Sequence, residues 1–550
     1  MLSTDIYIEP LTAAVVGLAM HHFVFIRGEW HVRAPVVFRF YLASTLLWCI
    51  AYYRACDRSI QTCSIHYFFS LSTHYITLLA SIVIYRCFFH PLRHFPGPYL
   101  AKATKFWHVW KCRNSNNHLL LEKLRHEYGN FVRTGPNEIT IFHPAGLNLI
   151  NKPDLVERSD WYDLVHPSFS LNTVRNQYFH DRRRKVWEFA FTNDAMKGYE
   201  ERIRSYATKV DDSIRGSNRS IIDTNAIIYR FAYDVMRDLA FAKTSNDTDQ
   251  EWQTSVNTIH TGLSILGPLS PAPWIALLFF SFTNLQLVSD WNNMMAYCRE
   301  KMAERLALVT PKGRDISSWL IQDAKSRGQI DSPEEMQWLN GDAFSMILAG
   351  SDTTASTLIF TFWHLAKTPR YQKLIHDEIL KFGVLSPLIS EMSFKDFERL
   401  PFLNAFINET LRLHHPLPTA GSRIVRQKGL IIDNEHIPPG TKVVAPRWNF
   451  GRHEAHYKRA WEFLPERWLN DSDLISDRRA FTPWAGGKWA CLGKQIALFE
   501  LRYLISLLVH HYSISLPPGD DGSSVERDYK DQVTAFPGKL NLVFTARGSE

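Results

Sequence analysis

Residues 332–367 constrain the fold more than any other stretch. Ser332 can cap a helix, Pro333 suits its first turn, Glu335 completes a capping box, and Pro369 ends the run. A helix of about 35 residues extends roughly 50 Å, long enough to cross a whole domain, so the remainder of the chain must pack around it. Its centre reads Ala349-Gly350-Ser351-Asp352-Thr353-Thr354. Glycine costs about 1 kcal/mol against alanine in a helix, and Asp and Thr are also poor formers. Such a break is either a kinked core helix with locally satisfied hydroxyls or a place where function opposes helix stability.

A second unusual stretch is Phe481-Thr-Pro-Trp484-Ala-Gly486-Gly487-Lys488-Trp489-Ala-Cys491-Leu-Gly493, followed by an apolar helix pattern from Lys494 to about His510. Glycines on both sides of one cysteine let the backbone approach a large flat ligand. A cysteine at a helix N-terminus is stabilised as the anion by free N–H groups and the helix dipole, which suits an iron ligand. A lone cysteine is equally at home as a small buried hydrophobe, and the loop alone leaves both readings open.

An apolar content of 45%, with 17 Trp and 35 Phe among 550 residues, excludes disorder and supplies a large core. The net charge of +7 is spread without a dense basic run, so nucleic acid is not an expected partner. No Cys-x-x-Cys spacing points to zinc.

Residues 1–89 read as a membrane anchor with up to three transmembrane segments: Leu11–Ile26, Ala34–Tyr53 and Ile65–Phe89. No small-residue cleavage site follows the first. Three spans with a cytosolic catalytic domain put the loop of Arg27 and Arg33 in the cytosol and residues 54–64 in the lumen. Arg54 and Arg58 there weaken the positive-inside argument, and Cys56 and Cys63 share the oxidising side, where they could pair. Residues 90–98, with three prolines and a glycine, form a stiff hinge.

From residue 99 to 550 helical patterns dominate. Strand-like runs appear at Glu138–Phe142, Leu430–Asp433 and Leu540–Phe544, giving a mainly α fold with small β-sheets. His180-Asp-Arg182-Arg183-Arg184-Lys185 packs four cations together, as a solvated helix face would. Residues 267–280 are too apolar for an ordinary loop. Glu409 and Arg412 share one helix face at i and i+3, with Pro465-Glu466-Arg467-Trp468 downstream. The sequons at Asn218, Asn246 and Asn408 are expected to stay unused in a cytosolic domain.

The cysteine loop resembles the haem-binding signature of cytochromes P450, Phe-x-x-Gly-x-Arg-x-Cys-x-Gly. Gly487, Cys491 and Gly493 match, Trp484 takes the Phe place and Trp489 the Arg place. The resemblance implies Cys491 as axial ligand of haem b, with Trp484, Gly487 and Gly493 against the haem and Lys488 in place of the lost cation. His180 and Arg184 stand at the spacing of a family Trp-x-x-x-Arg element, which makes Arg184 a propionate contact. The helix break resembles the oxygen-activating Ala/Gly-Gly-x-Asp/Glu-Thr-Thr/Ser element. It implies Thr353 as the oxygen contact and Asp352 as the proton donor. Glu409, Arg412 and Arg467 correspond to the Glu-x-x-Arg and Pro-Glu-Arg triad that braces the proximal side. Gly451, where the family usually has His before Arg452, is a departure. Residues 267–280 fall where the family's substrate lid dips into the membrane.

Taken together, hinge, broken helix, triad and cysteine loop resemble a membrane-bound class II P450 monooxygenase of fungal secondary metabolism. The resemblance implies hydroxylation or epoxidation of a lipophilic small molecule at the endoplasmic reticulum membrane, with the catalytic domain cytosolic. Electrons would come from NADPH through cytochrome P450 reductase, with cytochrome b5 as a further partner and Lys488 and Lys494 near the docking face. Expected substrate contacts are Phe344, Ile347 and Ala349, Thr419 and Ala420 up to Gly421, and Ala535 and Phe536. Alternatives are a P450-like isomerase or dehydratase needing no reductase, which the Asp352–Thr353 pair opposes, and a non-catalytic haem-binding membrane protein, toward which Trp489 leans.

Overall fold

The computed structural model describes residues 5–55, 59–217, 220–243, 249–282, 285–308, 314–383, 389–419, 421–469 and 473–548. Helix α1 (Asp5–Ala19) runs into a π-turn, Met20–Phe25. Helix α2 (Ala34–Ala55) and helix α3 (Ile60–Ile84) follow, the latter ending in a second π-turn, Tyr85–Phe89. Two of these stretches, 34–54 and 60–89, are long and apolar enough to cross a membrane, and Pro10–Phe25 is a shorter apolar helix. Their large side chains, among them Leu11, Phe40, Leu47, Phe69 and Leu79, face outward. Such a surface is unfavourable in water and natural in lipid.

Polar contacts give the register of the three helices. His74 Nδ1 lies 3.3 Å from Ala13 O, and His21 Nδ1 lies 2.7 Å from Ser81 Oγ, so α1 and α3 run parallel. Tyr67 donates to Thr45 O at 2.8 Å and Tyr53 bonds Ser64, so α2 runs opposite to both. The 26–33 loop therefore shares a side with the end of α3 and the hinge. There it touches the rest of the protein: Arg175 donates to Glu29 at 2.6 and 2.8 Å, and His31 Nε2 lies 2.6 Å from Asp163 Oδ2. At the opposite end Cys63 is disulfide-bonded; Cys56, its expected partner, lies outside the described residues. Asn218, Asn246 and Ala420 also lie outside them, while Asn408 sits within a helix.

The hinge is docked rather than loose. Leu92 and Phe95 are fully buried, and Pro96 O accepts from Arg133 N at 2.7 Å. Arg133 lies on strand β1 (Phe131–Gly135), which pairs with β2 (Glu138–Ile141). With β3 (Val156–Arg158), β4 (Arg423–Val425) and β5 (Lys442–Val444) they form a five-stranded sheet ordered β1-β2-β5-β4-β3. β2 and β5 are parallel and the other pairs antiparallel. The expected strand at 138–142 is thus present, as are those near 430 and 541.

Helices make up the remainder. Those that position the site are α4 (Gln177–Glu188), α5 (Thr224–Phe241), α6 (Asp249–Leu269), α7 (Pro273–Phe280), α8 (Gln286–Ala307), α9 (Pro333–Ile347), α10 (Thr353–Lys367), α11 (Pro401–Leu413) and α12 (Lys494–His511). A hairpin of β6 (Lys530–Gln532) and β7 (Thr534–Phe536) follows. The apolar segment expected between lid helices is the end of α6 plus α7. Phe282, just beyond α7, meets Phe38 of α2 ring to ring at 6.0 Å.

α9 and α10 form the one long rod foreseen from 332 to 367, joined by a π-turn at Leu348–Asp352. Ser332 accepts from Glu335 N at 3.1 Å. The capping box is only half formed, because the Glu335 carboxylate is drawn instead to Arg183 and Arg327, each at 2.7 Å. Two charge-assisted bonds outweigh the single bond to the Ser332 N–H.

Candidate functional site

The π-turn coincides with the polar break. Thr353 donates to Ala349 O at 2.7 Å, and Ser351 bonds Ile347 O. Wrapping an extra residue into one turn rotates the following side chains and loosens the backbone bonds there. The rod is buried on both sides of the turn. Between Trp338 and Ala366 only Ala349 is exposed, and Thr353 is half-buried. Asp352 is buried; its Oδ1 lies 3.3 Å from His260 Nε2 of α6, and its Oδ2 accepts from Thr534 Oγ1 of β7 at 3.2 Å.

Cys491 sits deep in the molecule, yet its side chain is exposed to internal space. Burial pushes its thiol up, opposed by the backbone N–H groups of Gly493 and Lys494 and by Arg184. These are the groups that favour an anionic sulfur at the start of α12. The loop is folded back by Cys491 N donating to Trp484 O at 2.9 Å, and Gly487 takes φ +59°, a left-handed conformation. Arg184 of α4 donates to the carbonyls of Lys488 and Ala490, both at 3.0 Å, and clamps the loop.

The run of cations at 182–185 is divided by helix geometry. Arg182 and Lys185 face solvent, Arg184 reaches the loop, and Arg183 is buried against Glu335 and Asp342, each at 2.7 Å. The Lys488 ammonium pairs with Asp181 at 2.7 Å. The residue in the motif position, Trp489, lies beneath Arg423 of β4, with the guanidinium carbon 4.5 Å from the ring centroid.

Arg423 belongs to a cluster that the sequence reading missed. Arg158 and Arg423 each lie 5.0 Å from the Tyr162 ring, and Arg447 couples to Arg423. Burial, and further the neighbouring cations, push Arg158 and Arg447 down to about 10. The Nε atoms of all three arginines have no hydrogen-bond partner among the described residues, nor has Nε2 of His415 beside Arg447. Buried like charges with orphaned donors require an anion. A signal existed: strand alternation puts Arg423 on the same face as buried Val425.

An ionic brace joins α11 to residues 464–468. Arg412 donates to both oxygens of Glu409 at 2.8 and 2.7 Å, Arg467 Nε to both at 3.2 Å, Trp468 Nε1 at 2.9 Å and Leu464 N at 2.8 Å. All three ionic side chains are fully buried. The glycine at 451 has a reason here. A Cβ there would come 2.0 Å from Arg412 O, so a histidine would not fit. Another residue not foreseen is Glu500 of α12, a buried acid against Thr354 whose carboxyl is pushed up to about 8 by burial.

The expected substrate contacts divide. Ala349 lies on the open face. Thr419 accepts from Asn117 Nδ2 at 3.2 Å and donates to Asp531, and Phe536 meets His260 at 4.8 Å. Ala535 is buried, its N–H tied to Pro416 O at 2.9 Å. Phe344 and Ile347 lie elsewhere, in the helical core. Phe344, about 140° around the helix from Ala349, packs on Trp291 of α8 at 6.4 Å.

A deep thiol met by the backbone N–H groups of Gly493 and Lys494, a buried cluster of arginines with orphaned Nε donors, and a broken helix opened at one alanine fit haem: sulfur for iron, cations for propionates. The profile of the family described as "Cytochrome P450" matches residues 96–540. The chain is 31% identical over 552 residues to cytochrome P450 monooxygenase notG' of Aspergillus versicolor, covering 98% of each chain. It is 33% identical over 526 residues to tryprostatin B 6-hydroxylase of Aspergillus fumigatus, 93% and 91% covered, and 30% identical over the whole of cytochrome P450 monooxygenase FCK2 of Fusarium pseudograminearum. The chain belongs to the cytochrome P450 family and is a P450 monooxygenase.

Proposed function

We propose that this monooxygenase hydroxylates a lipophilic secondary metabolite, drawing electrons from NADPH through a separate reductase. The observation that carries this reading is the opening of the broken helix at Ala349 and Thr353 while the residues around them stay buried. Two similar proteins are named tryprostatin B 6-hydroxylases, in line with a prenylated indole alkaloid as the substrate class.

In this reading Cys491 would bind the haem iron, and Arg158, Arg423 and Arg447 would hold the propionates. Trp484, Gly487 and Gly493 line the proximal face. Haem so held would supply dioxygen activation. The chain's own residues govern protons and water. Thr353 keeps its hydroxyl on Ala349 O until a better acceptor arrives, and Asp352 holds a proton-transfer position out of bulk solvent. Glu409, Arg412 and Arg467 keep the Cys491 side rigid.

We also propose that α1, α2 and α3 anchor the chain in the endoplasmic reticulum membrane, with residues 99–550 cytosolic. The contact of α7 with α2 supports substrate entry from the bilayer. The test is a ferrous–CO difference spectrum of membranes carrying the chain beside Cys491→Ala. A band near 450 nm lost in the variant, followed by reductase-dependent hydroxylation of an indole alkaloid panel, is expected. Well-folded protein without that band overturns the reading.

A further inference from the structure

Asp352 is placed as a proton donor, yet its side chain is only 6% exposed. A buried acid that gives up a proton each turnover needs a route for its replacement. His260 supplies one. Its Nε2 lies 3.3 Å from Asp352 Oδ1, and its own side chain is 15% exposed, more than twice as open as the acid. Two rings fix the imidazole plane. Tyr229 of α5 meets it edge-on at 4.6 Å and Phe536 of β7 at 4.8 Å. Thr534 holds the other carboxylate oxygen, so Oδ1 is left for the histidine. Tyr229 does not compete as a donor, because burial, and then the Asp352 charge, push its phenol far up.

We propose that His260 is the proton relay that recharges Asp352. The inference rests on the monooxygenase reading. Imidazole is the one neutral side chain that can accept a proton at one nitrogen while releasing another. Here Nδ1 takes a proton from the solvent side and Nε2 passes one to Asp352 Oδ1. The ring ends neutral with its tautomer exchanged, a ring rotation or a second exchange resets it, and no electrons move. A glutamine would keep a hydrogen bond to Oδ1 but could not carry the proton through.

The test compares His260→Gln, Asp352→Asn and the double variant in the full-length protein in lipid nanodiscs with reductase. All should keep the 450 nm ferrous–CO band and the apparent affinity for substrate. In His260→Gln the yield of hydroxylated product per NADPH should fall by about 100-fold, the low end of what one positioned proton-transfer group contributes. The solvent deuterium isotope effect on turnover should rise, and Asp352→Asn should add little on top. Thermal unfolding reads the contact without turnover: the double variant should lose less Tm than the two single losses together. Wild-type coupling and isotope effect in His260→Gln overturn the relay, as do additive Tm losses. Absence of the band or of product in the wild type instead strikes the monooxygenase reading, and the Tm cycle still judges the contact.

Discussion

The guanidinium of Arg423 lies 4.5 Å above the ring of Trp489, so the residue standing where the P450 motif carries an arginine holds one in place from a neighbouring strand. A partly desolvated cation–π contact is worth about 0.5–2 kcal/mol. Trp489→Ala should therefore release Arg423 and speed haem loss by roughly 2- to 30-fold, the same energy expressed as a rate ratio. Trp489→Phe should fall between. Transfer of haem to excess apomyoglobin measures the rate; an unchanged rate in the alanine variant means that the stack holds nothing.

The Glu409–Arg412–Arg467 brace makes a sharper prediction. Removing one partner of a fully buried ionic group leaves an uncompensated charge and costs about 3–5 kcal/mol. Arg467→Ala should lower Tm by about 3–5 °C or abolish haem incorporation. Arg412→Lys should also fail, because an ammonium cannot span both oxygens of Glu409 as the guanidinium does. The readout is the yield of 450 nm absorbance per unit of folded protein.

Glu500 gives a pH signature. Burial raises its carboxyl to about 8, far above its unfolded value, so the folded state retains a proton that the unfolded state releases. Below the unfolded pKa the group costs nothing. Stability then falls as pH climbs toward about 8, and the slope ends above it. Glu500→Gln should match wild type near pH 4.5 and exceed it at pH 8. Asp531, raised to about 7 by burial, leaves a residual slope of the same sign. Thermal midpoints between pH 5 and 9 decide the matter, and parallel curves would remove Glu500 from the account.

These residues mark where sequence reading ends. The rod, the hinge, the cysteine loop and the Glu409 brace are legible because each is carried by contiguous chemistry: a cap, a proline run, glycines around a thiol, an i,i+3 pair. Arg158, Arg423 and Arg447 are not, because they come from separate strands and loops and only the folded sheet gathers them. His260 was invisible for the same reason, being 92 residues from Asp352. Helix phase is a further limit: nothing in the local sequence marks that Ala349 opens while Phe344 and Ile347 pack in the helical core. Gly451, a departure with no reason visible in the sequence, has a steric one in the close approach of Arg412 O.

Membrane topology is the last consequence. The positive-inside rule is weak for this chain, but contacts between elements are not subject to it. Arg175 grips Glu29 with two bonds and His31 meets Asp163, so in the proposed membrane arrangement the loop joining α1 and α2 would lie on the catalytic side of the bilayer. On that proposal α2 would cross away, the segment carrying the disulfide-bonded Cys63 would lie on the far, oxidising side, and α3 would return to the hinge. Glycosylation acceptors inserted into residues 56–59 should be modified in microsomes, and those inserted into 27–33 should not. The ion pairs themselves are partly exposed, so Arg175→Ala should cost no more than about 1 kcal/mol and leave the topology intact, since the apolar helices and not the pairs hold the protein in the membrane. Modification of the 27–33 loop would require α1 and α2 to be reversed and would break the contact with Arg175.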